Sequence, residues 1–397
     1  MGSRSRQREG YAWFGALALT LAIVAGCTSA VATQPDNAGP MGAGVHAGLP
    51  SSSGAISTGG PRATAASVTV DQITATVTYG GEYVTPLAHL YGKFFEDYVI
   101  IKIQNDNSSP VKIMATSEVT GFTDKASDTV TVDAGASSEI RQDPRLTATA
   151  IDSLNSAHDA DVHIVVSYLD NGQPRTVLDQ TNPTTVTSRR DFPLRGIEGF
   201  TSAEVYQLLA VMVTPTDPAV GDLIRAAAEY APDKAMGAGA AEKGNGFDPV
   251  KETAQLKAIW QAETQNYHLT YVSTTETFAA KSQRIRLPHE DLSEASGNCI
   301  ELSLLYASAV ESLGFIPYVV LIPGHAYFLV DLDGQGNNLL VIETTMIGQA
   351  TFEQATTYGM NNEWQRDAAH VNAGDDGYGL LNVLQARKDG ITPIPWQ

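Results

Sequence analysis

The sequence predicts a multidomain protein: an all-β sandwich followed by an α+β domain. Three observations predict it. Between residues 67 and 195, short runs rich in Val, Ile and Thr alternate with turn signals, the pattern of a sandwich. From residue 196 the pattern turns helical. Residues 296–345 then read as one helix and three strands, with a thiol, an imidazole and a carboxylate at the joints. A chain of 397 residues, 43% apolar, has ample core for two or three domains.

Residues 1–26 are expected to lie outside the fold. Arg4, Arg6 and Arg8 form a basic start, and Ala12 to Ala25 is an apolar run short for crossing a bilayer. The run ends in Val24-Ala25-Gly26-Cys27, which resembles a bacterial lipobox. That resemblance implies a lipoprotein signal peptide, lipidation of Cys27, and a chain held on a membrane at the bacterial cell envelope, outside the cytoplasm. Residues 27–66 are mostly Ser, Gly, Ala, Thr and Pro, and read as a flexible tether. Removing residues 1–26, with three Arg and one Glu, takes the net charge from −19 to −21. Such a surface argues against nucleic acid as partner.

The β region reads as SVTVDQITATVTY, YVIIKIQND, VKIMATSEV, TVTVDAG, VHIVVSYLDNG, RTVLDQT and TTVTS, with Asp170-Asn171-Gly172 as a hairpin turn. The spacing suggests an immunoglobulin-like sandwich without its disulfide, serving as spacer and support. Beyond it, Thr201 to Met212, a helix after Asp217-Pro218, and Val250 to Gln265 are expected helices, with residues 232–247 an Ala/Gly-rich loop. Tyr267 to Val272 reads as a short extended segment, and the stretch holding Tyr358 and Trp364 as less regular.

Ile300 to Leu313 has helical spacing and Gly314 supplies its stop. Phe315 to Ile322, His325 to Leu332 and Leu339 to Thr345 are expected strands. Cys299 therefore falls on the first turn of a largely buried helix, where free N–H groups and the helix dipole favour thiolate and can receive an oxyanion. Cys27 and Cys299 are the chain's two cysteines. With Cys27 lipidated, Cys299 is a lone thiol in an oxidising compartment, which asks for a reason. Side-chain alternation lets Glu343 reach His325 only in an even register, with Asp331 opposite Asn337 or Leu339. A thiol beside a base oriented by an acid is the arrangement of nucleophilic catalysis. No metal or other cofactor is expected. His268, His289 and His370 have no partner at catalytic spacing, and Asn298 reads as a turn residue before the helix.

Gly297-Asn298-Cys299 opening a helix, Pro323-Gly324-His325 before a strand and Ile342-Glu343-Thr344-Thr345 ending the next together resemble the transglutaminase-like superfamily. QRIRLPHE (Gln283 to Glu290) and ARKDGITPIPW (Ala386 to Trp396) resemble the flanks of a bacterial branch of it. The resemblance covers about the C-terminal half, residues 196–397, and implies a papain-related fold. The superfamily usually has Asp where this chain has Glu343. It implies acyl transfer through a Cys299 thioester, His325 as base and acid, Glu343 as orienting group, and Gln283 as an oxyanion donor. The substrate would be an amide in a protein or a peptidoglycan peptide. Hydrolysis is the first expectation and transamidation the second; a non-catalytic binding protein that keeps the fold is the rival from another class.

Overall fold

The structure, a computed structural model, describes residues 62–195, 197–237, 248–273 and 282–395. The expected signal segment, Cys27 and nearly all of the tether lie outside the described residues, as do Gly196, residues 238–247 of the Ala/Gly-rich loop, and Trp396. The protein is mixed α and β, with mostly antiparallel sheets.

The β part holds two sheets. One runs in the order Ala63–Val70, Ile73–Tyr79, Val99–Asn105, Ser137–Gln142. The other runs Glu82–Tyr83, Gln173–Val186, His158–Asp170, Val111–Val119, Ala126–Val132. Alternation sets the inward faces: Ile73, Ala75 and Val77 from one sheet and Ile113, Ala115, Val162, Ile164 and Val166 from the other enter one apolar cluster. The run SVTVDQITATVTY forms two strands, because the chain reverses at Asp71 and Gln72 with φ of 49° and 61°. Asn171 and Gly172 take the same left-handed turn at φ 49° and 81°, where the sequence marked it. A short helix, Ala148–Ser153, capped by the Thr147 hydroxyl, was not anticipated.

In the second part, Pro218–Ala228 and Pro249–Gln265 are helices started by Asp217 and Asp248, whose carboxylates accept N–H groups of the first turn. The expected helix over Thr201–Met212 is Ser202–Leu208, tightening into a 3₁₀ turn, Leu209–Met212. At the centre stands the helix Cys299–Ser312, buried from Cys299 to Val310. It lies on an antiparallel sheet ordered Leu339–Ile342, His325–Asp331, Ile316–Ile322, Gly379–Asn382. Ala326, Phe328 and Val330 face this helix side, with the Tyr306 and Phe328 rings 4.9 Å apart. Tyr327, Leu329 and Val341 face the other side and pack with Trp364 and Val371 in a second apolar cluster.

Three corrections follow. The third strand stops at Ile342 rather than Thr345, because Glu343 caps a 3₁₀ turn, Thr344–Met346, through the Thr345 N–H. The stretch read as less regular is helical: Phe352–Tyr358, a π turn over Gly359–Trp364, then Gln365–Ala373. Its start carried a readable signal, the capping box Thr351–Gln354. The sheet also has a fourth strand, Gly379–Asn382, pairing with Ile316–Ile322.

The large apolar cluster is continuous from Ile73 to Ile394, through both parts. Between them, Phe192 pairs with Gln283, and Glu290 accepts Arg189 at 2.6 Å and Arg190 at 2.5 Å. No helix among the described residues is long and apolar enough to cross a membrane.

Candidate active site

The sequence around Cys299 builds a fixed helix start. Asn298, in extended conformation, accepts the N–H of Ile300 at 3.1 Å and of Glu301 at 3.0 Å; Glu301 in turn accepts the Asn298 N–H at 2.9 Å. Arg286 holds Glu301 from behind, with Nη2 to Oε2 at 3.0 Å and its own N–H to Oε1 at 3.0 Å. Gly297 is required by space: a Cβ there would stand 2.9 Å from the Leu302 side chain. Cys299, a free thiol 7% exposed, is thus the first helical residue, at the positive end of the dipole.

The imidazole arrives by a hairpin. Gly324, at φ 82°, turns the chain, and His325 opens the next strand. Asp331 lies opposite Leu339, one of the two even registers, which sets Glu343 beyond Ile342 on the face of Tyr327 and His325. His325 Nε2 and Glu343 Oε2 are 2.8 Å apart. Glu343 Oε1 accepts the Thr345 N–H at 2.9 Å and its hydroxyl at 2.6 Å. With Nε2 engaged, Nδ1 is the ring nitrogen left for the Cys299 sulfur, which lies within hydrogen-bond reach of the ring.

Electrostatics favour a charged ring. Burial alone would lower the His325 pKa, but its bonds to Cys299 and Glu343 outweigh that and hold it up at about 10. Burial would raise the Glu343 carboxyl, yet the His325 and Thr345 bonds prevail and hold it below the ordinary carboxylate value. A second link ties the thiol-bearing helix to the turn that follows Glu343. The buried Ser303 hydroxyl donates to the Cys299 carbonyl at 2.7 Å and stands 3.0 Å from the hydroxyl of Thr344, next to Glu343.

Gln283 is buried: one Nε2 hydrogen goes to the Arg284 carbonyl at 3.2 Å, and its Oε1 is buried with no partner among the described residues. Two of the histidines set aside do have partners. His289 Nδ1 lies 3.1 Å from Asp217 Oδ2, and His370 Nδ1 lies 2.6 Å from Asp375 Oδ2. Trp364 is core at 3% exposure, whereas Tyr358 is exposed at 41%.

Glu363 was missed. Its carboxylate and the His325 and Glu343 ligating atoms lie within 4.8 Å of one another. Both carboxylates are already engaged, Glu343 by His325 and Thr345 and Glu363 by Arg366, so the group is not assigned as a cation site. Its place on a helix read as irregular hid it.

No protein-family model and no curated protein matches the chain. Solved structures give slight, partial likeness. A protein from Archaeoglobus fulgidus is 12% identical, with TM-score 0.19 over 32% of this chain and 98% of that one. A solution structure described as a candidate late embryogenesis abundant protein is 9% identical, at 0.17 over 32% of this chain and 71% of that one. A candidate cysteine protease from Cytophaga hutchinsonii is 12% identical, at 0.22 over 62% of this chain and 75% of that one. Likeness this slight carries no argument, and the site rests on its own geometry.

Proposed function

We propose that this chain is a cysteine-dependent acyl-transfer enzyme of transglutaminase-like type, hydrolysing an amide bond in a protein or a peptidoglycan peptide. One observation carries the reading: a single imidazole is bonded to a buried carboxylate at 2.8 Å and within hydrogen-bond reach of a thiol on a helix N-terminus. In the reaction, the Cys299 sulfur attacks the amide carbonyl carbon. The Cys299 N–H, which the Asn298 cap does not use, faces the oxyanion. His325 gives its proton to the departing nitrogen as the C–N bond breaks, leaving a thioester. Water then attacks the thioester carbon, His325 takes its proton, and the acid and free thiol are released. A lysine amine in place of water would give transamidation. Glu343 fixes the ring's tautomer and balances its charge.

The rival is a binding protein that keeps the fold. A thiol-reactive probe separates the two. A nucleophilic Cys299 labels quickly at neutral pH and loses that rate by at least tenfold in His325→Ala. Slow labelling, unchanged by the substitution, would favour binding.

Anchoring through Cys27 and an envelope location belong to the same proposal and rest on the sequence alone. An acylated N-terminal Cys27 in the mature protein, seen by mass spectrometry, is the expected result; an unmodified terminus elsewhere would end it.

A further inference from the structure

We propose that Glu363 is a positioning residue of the same site, a second carboxylate that acts with Glu343 to hold the His325 ring in place and charged, with Arg366 setting how much of that charge the ring meets. The inference rests on the Cys299–His325–Glu343 reading above. A Glu363 carboxylate oxygen lies within 4.8 Å of a His325 ring nitrogen and a Glu343 carboxylate oxygen, and Glu363 is 6% exposed.

The local fold is built to deliver it there. A π turn, Gly359–Trp364, interrupts two helices, and such turns re-aim side chains because one residue more is fitted into the turn. The turn can approach only because residue 359 is glycine: a Cβ would meet Val341 Cγ1 at 3.0 Å and the Glu343 nitrogen at 3.1 Å. The Glu343 N–H itself donates to the Ala355 carbonyl at 3.3 Å, so the backbone carrying the first carboxylate is bonded to the helix leading to the second.

Charge is unevenly shared around the ring. Arg366 bonds Glu363 and also Asp367, at 2.7 Å to each Asp367 oxygen. Both carboxylates are buried, while the guanidinium is 53% exposed and partly screened. One half-exposed cation therefore serves two buried anions, and the His325 ring, within 4.8 Å of the Glu363 carboxylate, is a second cation on that side of Glu363. Tyr327, two residues along the same strand, closes the circuit: its hydroxyl donates to Asp367 at 3.3 Å and its ring centroid lies 6.1 Å from that of His325. Cys299 and Glu343 face the ring from the thiol-bearing helix and the adjoining turn. Asp375, Asp376 and His370 belong to the segment that meets Pro323 through Gly377.

The experiment follows the His325 imidazole by NMR titration of the full chain, assigned by its loss in His325→Gln, beside the pH profile of Cys299 labelling. Glu363→Gln is expected to lower the ring's midpoint by about one pH unit, the effect of removing an opposite charge at this range. Glu363→Asp should restore most of it, and Arg366→Met should move the midpoint the other way by less. A midpoint unmoved in Glu363→Gln, in a protein folded by circular dichroism, overturns the proposal, as do equal values for the Gln and Asp variants. Should Glu363→Gln not fold, Arg366→Met decides: an upward shift supports the role and none overturns it. Failure of the triad reading looks different, since Cys299 would then label slowly whether or not His325 is present.

Discussion

At the residue scale the site turns on one imidazole held positive. His325 has a folded-state pKa raised from 6.5 to about 10, so the stability its charge contributes is complete below about pH 6.5 and is lost as pH rises through 10. Glu343 is shifted down, so its contribution is present above the ordinary carboxylate range and is lost as pH falls below it. The melting temperature of the wild type should therefore exceed that of His325→Gln most near pH 6, with the gap closing by pH 10. A gap that widened toward pH 10 would sink this assignment. Turnover should follow the same group. Above pH 10 the ring has no proton to give the leaving nitrogen, and kcat/KM should fall about tenfold per pH unit. The carboxylate being Glu rather than Asp finds its reason at this scale too. The longer side chain starts outside the strand, at the cap of a 3₁₀ turn, and still spans to Nε2 at 2.8 Å.

At the element scale the question is what places the thiol. The Asn298–Glu301 capping box fixes where the helix begins, and Gly297 lets the preceding backbone lie against Leu302. Gly297→Ala should therefore act as overpacking, costing about 1–3 kcal/mol and pulling the helix start away from His325. Gly324→Ala is the contrast. Its Cβ would meet open space, so only the φ of 82° is strained, for about 1 kcal/mol, with labelling little changed. Denaturant midpoints and Cys299 labelling rates check both; equal losses would mean that space at Gly297 is not the constraint. This helix and its three following strands were legible in the sequence because apolar runs of the right length lie between Gly and Pro punctuation. The even register was legible because alternation permits nothing else if Glu343 is to meet His325. The helices over Phe352–Ala373 were not, since their polar surface gives no clear period and the π turn breaks what there is. Glu363 was hidden with them. The hairpin at Asp71 and Gln72 was missed for another reason: neither residue announces a left-handed turn as Asn171-Gly172 does.

At the scale of the whole molecule, the sandwich and the site-bearing part share more than a linker. Glu290, 6% exposed by its side chain, stands in the first turn of the helix Pro288–Glu294 and accepts both Arg189 and Arg190 from the end of the sandwich. Asp191 and Phe192 pair in register with Arg284 and Gln283, two residues before Arg286, which holds the cap of the thiol-bearing helix through Glu301. The Phe95 and Phe200 rings are 5.4 Å apart, and His89 Nε2 lies 2.9 Å from the Thr392 carbonyl. Supporting contacts thus run from the sandwich toward Cys299 by a short route. Glu290→Ala leaves the mostly buried Arg190 guanidinium without a carboxylate and Arg189 with only Asp152, 3.7 Å away, and should cost about 3 kcal/mol. It should lower the melting temperature of the protein as one transition, and slow Cys299 labelling although Glu290 touches neither thiol nor ring. A fragment of residues 196–397 should likewise expose apolar surface, bind a hydrophobic dye and unfold without cooperativity. If instead the fragment melts sharply and labels at the full-length rate, the sandwich is a spacer, and the shared core between the two parts carries no stability that the site needs.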